Sequence, residues 1–168
     1  VIRANHEWAF IYVDEQSGVF TSYSSFGNYA YCWNYRGSST LKEFLSDLDF
    51  SYFMGKTRPE YRQFDPEKTV KGIKQFILER RRDGSLDQSD ARNAWTDAED
   101  LWHNNQHEFF DELCSSGPLM KLYGGDFCDI SCESPDGNSR GFWKTIWPEF
   151  LKAIAPQPVD AVGGGKQP

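Results

Sequence analysis

Three β-favouring runs follow one another within the first 35 residues, separated by only four or five residues, and this crowding limits the fold more than any other feature of the chain. Residues 8–13 read Trp-Ala-Phe-Ile-Tyr-Val, and the turn-forming stretch Asp14-Glu15-Gln16-Ser17-Gly18 ends them. Residues 19–24 make a second run, Phe26-Gly27-Asn28 a second turn, and residues 29–35 a third run. A parallel crossover needs a dozen or more residues, so connections this short predict an antiparallel meander. In the third run Tyr29, Tyr31, Trp33 and Tyr35 alternate with Ala30, Cys32 and Asn34. Period two places the large rings on one face and the small residues on the other.

Beyond residue 39 the apolar period changes from two to that of a helix. Ser39 or Thr40 can cap a helix in which Leu41, Phe44, Leu45 and Leu48 follow i, i+3, i+4, i+7. Residues 49–64 are less regular. Asp65-Pro66-Glu67 is a strong helix start, with Val70, Ile73 and Ile77 on one face, Arg80-Arg81-Arg82 at the C-terminal end and Asp83-Gly84 as the stop. A further helix is predicted over 89–102, with Ala91, Ala94, Trp95, Ala98, Leu101 and Trp102 facing inward, and a shorter one over 108–114. Gly117-Pro118 and Gly124-Gly125 bracket a loop or short strand. A last helix covers 143–154, where Pro148 marks a kink or a fresh start. The expected fold is α+β, an N-terminal three-stranded antiparallel sheet packed by four to five helices. It forms a single domain over residues 1–155, and residues 156–168 form a disordered tail. No internal repeat or linker separates two cores.

Size and composition agree with this. A chain of 168 residues can bury one core. At 16% aromatic and 39% hydrophobic it is too rich in burying side chains for a disordered protein. No run approaches the 18 apolar residues of a membrane span, and no charged n-region with an apolar h-region marks a secretory signal. Cys32, Cys114, Cys128 and Cys132 are expected as reduced thiols in a cytosol, since a domain of this length needs no disulfide staples.

Eighteen Lys and Arg against 25 Asp and Glu leave a net charge of −7. The excess lies late in the chain: residues 1–82 balance at +2 and residues 83–168 at −9. Polynucleotide binding draws on phosphate neutralisation, so direct nucleic-acid binding is not expected. The same field favours a partner with a basic surface and speeds encounter with it, although net charge also serves plain solubility. Residues 87–112 carry eight acids against the single base Arg92. Asp97, Asp100, Glu108 and Asp111 are the candidate members of an acidic docking face, unless they form an ordinary solvated helix surface.

The aromatic run offers a second candidate site. Tyr29, Tyr31, Trp33 and Tyr35 can stack a planar ligand such as a nucleotide, or they can pack beneath the helices as core. Residues 1–37 hold only Arg3 and Arg36 as bases, too few for a polynucleotide platform. His103 and His107, four apart, would share a helix face and, with Cys114 or the Cys128/Cys132 pair, could assemble a metal site of a hydrolase. The C-x3-C spacing is not that of a zinc knuckle, so no metal and no cofactor is expected. Arg80-Arg81-Arg82 reads as dipole complement before it reads as a phosphate grip. No phosphate loop, nucleophile–base pair or metal triad is complete, which points away from an enzyme.

Several segments carry a resemblance. Residues 8–13, Phe26-Gly27-Asn28-Tyr29-Ala30-Tyr31-Cys32-Trp33, Leu41-Lys42-Glu43-Phe44-Leu45 and Tyr52-Phe53-Met54-Gly55-Lys56 resemble small accessory proteins encoded by tailed bacteriophages and prophages. Thr69-Val70-Lys71-Gly72-Ile73, Arg80-Arg81-Arg82-Asp83-Gly84, Ala91-Arg92-Asn93-Ala94-Trp95 and Trp147-Pro148-Glu149-Phe150-Leu151 extend the likeness to nearly all of residues 7–154. The resemblance implies host takeover or the blocking of host defences such as CRISPR systems, in the host cytoplasm. It brings no catalytic or binding residues with it. The expected function is therefore that of an accessory protein that binds and inhibits a host protein or complex through the acidic helices, with no membrane partner. A nucleotide sponge using the aromatic strand and a metal-dependent hydrolase are the alternatives.

Overall fold

The computed structural model describes residues 1–34, 37–101, 105–127 and 130–155. The strands are β1 (Ile2–Ala4), β2 (Glu7–Asp14), β3 (Val19–Ser24), β4 (Gly27–Cys32), β5 (Arg62–Phe64) and β6 (Glu133–Pro135). The helices are α1 (Leu41–Ser46), α2 (Phe50–Thr57), α3 (Pro66–Arg82), α4 (Gln88–Asp100), α5 (Gln106–Ser115), α6 (Gly117–Tyr123), α7 (Gly137–Gly141) and α8 (Trp147–Ile154), with a π-helical turn, Phe142–Ile146, leading into α8. They gather into two compact units, Val1–Tyr61 with the chain from Gly137 onward, and Arg62–Asp136. The α+β class holds, and the described helical segments outnumber the four or five expected.

In the first unit the sheet is an antiparallel meander in the order β1-β2-β3-β4. It has four strands, not the three expected, and β1 is the addition. Its hairpin turns on Asn5 and His6, both at positive φ, 50° and 68°. Two such residues match the twist of paired strands. Asn-Gly or Asp-Gly would have announced this turn; Asn-His does not, and a strand of three residues is too short to show a period. Phe10 stands opposite Tyr23 and Tyr12 opposite Thr21, while Ser22 faces Tyr29 across the next pair.

The inner face of this sheet and four helical segments enclose an aromatic core. Phe20, Tyr29, Phe53 and Phe142 are fully buried, and Trp33, Trp147 and Phe150 nearly so. Tyr29 stacks on Phe142 at 4.1 Å and Phe53 lies 4.4 Å from Trp147. Each such ring is worth roughly 1.5–3 kcal/mol in area removed from water. Gly141 permits the approach of α7, because a Cβ there would stand 2.3 Å from the Phe26 ring. The Glu15 carboxylate accepts from the Leu41 and Lys42 amides at 2.6 and 3.2 Å, tying the β2–β3 turn to the start of α1. Helix α2 occupies the stretch expected to be irregular, its first turn capped by Asp49, which accepts from the Tyr52 amide. Pro148 sits in the first turn of α8, a fresh start after the π turn.

In the second unit α3 begins and ends as its sequence predicts: Asp65 caps it by accepting from the Lys68 amide at 2.9 Å, and Asp83 with Gly84 closes it. Ala91, Ala94 and Ala98 form the buried seam of α4, whose small side chains let α3 and α6 approach closely. Leu101, Phe109, Leu113 and Leu119 join them with Ile73 and Ile77. Gly117-Pro118, expected to edge a loop or strand, instead opens α6: Ser116 caps the helix, proline fills its first turn, and Gly124 at φ 62° ends it. Strands β5 and β6 pair Arg62 with Pro135, so the chain enters and leaves this unit side by side.

Candidate protein-binding surface

The carboxylates of the acidic run differ in burial and in the partners that hold them. Asp97, half-buried on α4, accepts from the Ser116 hydroxyl at 2.5 Å, and that hydroxyl in turn caps α6 by accepting from the Leu119 amide. Glu99 accepts from Lys74 at 3.0 Å and from the Trp95 indole N–H at 2.9 Å through one oxygen. These two donors, the lysine first, hold its carboxyl below the ordinary range. Asp90 is bound by Lys121, whose own ammonium is shifted upward by that contact.

Asp100, Glu108 and Asp111 remain exposed, and Glu112 joins them. On α5 the three acids Glu108, Asp111 and Glu112 follow i, i+3, i+4 and so share one side of the helix, while Phe109 and Leu113 bury the other. Helix α5 contains no lysine or arginine; its one basic group is His107, with Nδ1 3.5 Å from Asp111. Of the four acids expected in a docking face, Asp97 is half-buried and bonded to Ser116, Asp100 is exposed at the end of α4, and Glu108 and Asp111 lie on one side of α5 with Glu112, which the expected set does not include. The charge is also unevenly divided between the units. The first has nine basic and nine acidic residues; the second has nine and sixteen, and so accounts for the whole −7.

The aromatic run turns inward. Tyr29 is fully buried and donates to the Phe26 carbonyl at 3.1 Å, and Trp33 is 3% exposed against Phe20 and Phe44. Tyr31 is half-buried, with the Lys56 ammonium 5.5 Å from its ring centre. Tyr35 lies outside the described residues. Tyr29, Tyr31 and Trp33 keep the predicted alternation with Ala30 and Cys32, but they face the core, where no nucleobase can stack on Tyr29 or Trp33. The rings that do face outward are on β2 and β3: Phe10, Tyr12 and Tyr23, with Trp8 packed edge-on beside them. Sequence reading missed them because β2 alternates aromatic with aliphatic residues, so both faces read as core.

In the second unit α3 and α6 border a cavity of about 560 Å³ lined by Phe76, Arg80 and Tyr123 among others. Burial pushes the Tyr123 phenol up to about 12. Among the described residues no three His, Cys, Asp or Glu side chains come together as a metal site. His103 and Cys128, needed for the metal alternative, lie outside the described residues, as does the tail from residue 156. No described helix is long and apolar enough to cross a membrane. No curated protein and no solved structure matches the chain. The model of the phage family Phage_phiTE_072 matches residues 2–156, nearly the whole sequence. The chain, which comprises an acidic helical unit and an aromatic sheet unit, belongs to this phage family.

Proposed function

We propose that this phage-family protein acts without turnover, by binding and inhibiting a host protein or complex that presents a basic surface. A nucleic-acid-handling defence complex, a CRISPR effector among them, is the target class whose basic groove best complements it. The observation that carries this reading is the segregation of charge. Within the second unit, residues 62–82 balance at +4 and residues 83–136 at −11, and Glu108, Asp111 and Glu112 are exposed on one side of α5. Such a field raises the rate of encounter with a cationic groove and opposes the polyanion that the groove normally holds.

The test is capture of host proteins by the wild-type chain and by an Asp111→Lys/Glu112→Lys variant, at low and high salt. A partner held by the wild type, shed as salt rises and absent from the variant supports the reading. A partner retained equally by the variant places the contact elsewhere, and plaque counts on hosts with an armed defence system then decide whether inhibition is involved at all.

A further inference from the structure

The outer face of the sheet in the first unit carries rings where a solvated sheet face carries polar side chains. Phe10, Tyr12 and Tyr23 are 53%, 63% and 59% exposed. Trp8 lies edge-on to Phe10 and Tyr23, with ring centres 5.5 and 5.1 Å apart, so the four rings form one continuous patch across β2 and β3. Val1 and Thr21 border the shallow depression between them. We propose that this face is a dimer interface, covered by the same face of a second copy of the chain about a twofold axis that runs across the strands between Phe10 and Tyr12.

Three features select a second copy as the occupant. The first is charge. The unit is balanced at nine basic and nine acidic residues, so it adds no net charge of its own to a contact between two copies and calls for no charged partner. On β1 and β2 the charges at outward positions stand at opposite ends, Arg3 paired with Trp8 at one end and Asp14 at the other. A twofold across the strands reverses their direction and brings Arg3 toward the partner's Asp14, and the reverse contact follows by symmetry. The second is shape: the same axis sets Phe10 over the partner's Tyr12, and Tyr23 over the partner's Thr21, a large residue against a small one. The third is area. Three rings of about 150–250 Å² each, more than half exposed, supply roughly 300 Å² of apolar surface. Val1, Trp8 and the flanking strand positions extend it toward the roughly 800 Å² per partner of a standard interface. Exposed apolar patches of a few hundred Å² on a protein surface are often functional.

This inference is independent of the host-binding reading, which concerns the other unit. Its test is the mass of the full chain by sedimentation equilibrium up to roughly 50 μM, a range in which interfaces of this size associate. The wild type is expected as a dimer that dissociates on dilution. Phe10→Thr/Tyr12→Thr, which keeps strand propensity, is expected to be monomeric with an unchanged far-ultraviolet dichroism spectrum. Arg3→Glu is expected to weaken the dimer by roughly tenfold. A wild type that stays monomeric throughout overturns the proposal, as does a dimer that survives Phe10→Thr/Tyr12→Thr. A monomer whose melting temperature rises with a planar nucleotide that the Phe10→Thr/Tyr12→Thr variant no longer responds to overturns it in favour of a ligand face.

Discussion

At the scale of single residues, the inner face of the sheet contains a departure from good packing at Ser22. Ser22 points into the core at 1% exposure, opposite Tyr29, and its hydroxyl has no hydrogen-bond partner among the described residues. Its neighbour two positions on, Ser24, is equally inward but donates to the Gly27 carbonyl at 2.8 Å. The difference separates a hydroxyl with a task in a turn from one that only loses water. A buried donor left unpaired costs about 1–3 kcal/mol, whereas an alanine of nearly the same volume has nothing to satisfy. Ser22→Ala is therefore expected to stabilise the protein by about 1 kcal/mol, a rise of roughly 2–4 °C in melting temperature for a chain of this length. Ser24→Ala is the control and is expected to destabilise. A melting temperature that falls with Ser22→Ala would show that the hydroxyl is bonded in solution and that the strand depends on it.

At the scale of elements, capping carboxylates recur, and they make a pH dependence. Asp87 accepts from the Asp90 amide at 2.8 Å at the start of α4, and that bond above all holds its carboxyl below the ordinary value. Asp14 at the end of β2 and Glu43 in the capping box of α1 are lowered in the same direction, by Ser17 and Thr40 respectively. A folded-state value below the unfolded one means that the unfolded chain binds protons first. The stabilisation is then full above the ordinary carboxylate range near 4, and it is lost as pH falls through the lowered folded values. Asp87→Asn keeps the acceptor but cannot titrate. Its melting temperature is expected to lie slightly below the wild type at pH 7 and to fall less steeply between pH 5 and 2. Parallel acid limbs would remove Asp87 from this account. These caps also show what a sequence makes legible. Asp65-Pro66-Glu67 and Asp83-Gly84 mark both ends of α3 because cap and stop are local chemistry. Helix α6 was hidden since Gly117-Pro118 reads as a breaker until Ser116 is seen capping it. The site was legible only as composition: that Asp97 serves Ser116 and Glu99 serves Lys74 depends on contacts 19 and 25 residues apart, beyond any local pattern. Which face of β2 meets solvent depends likewise on the helices that cover the other one.

At the scale of the molecule, the chain is arranged so that one unit interrupts the other. The first unit is assembled from two separated stretches, up to Tyr61 and from Gly137, while the second is continuous from Arg62 to Asp136. Each has its own buried cluster, aromatic in the first and largely alanine, leucine and isoleucine in the second. The pairing of Arg62 with Pro135 brings the ends of the second unit to neighbouring strand positions, about 4.5–5.5 Å between Cα atoms. An insertion whose ends meet can be removed without stretching the rest. Replacing residues 62–136 by a glycine-rich turn of about two to four residues should leave the first unit's strands, α1, α2, α7 and α8 able to close on the same rings. The shortened chain is expected to retain the near-ultraviolet dichroism of its packed tryptophans and to unfold cooperatively. The excised segment, expressed alone, is expected to be helical and less stable, as its smaller core dictates. If both pieces lose fixed side-chain packing, the two clusters depend on each other for stability. The charge difference between the units would then describe one folding body and not two parts with separate tasks.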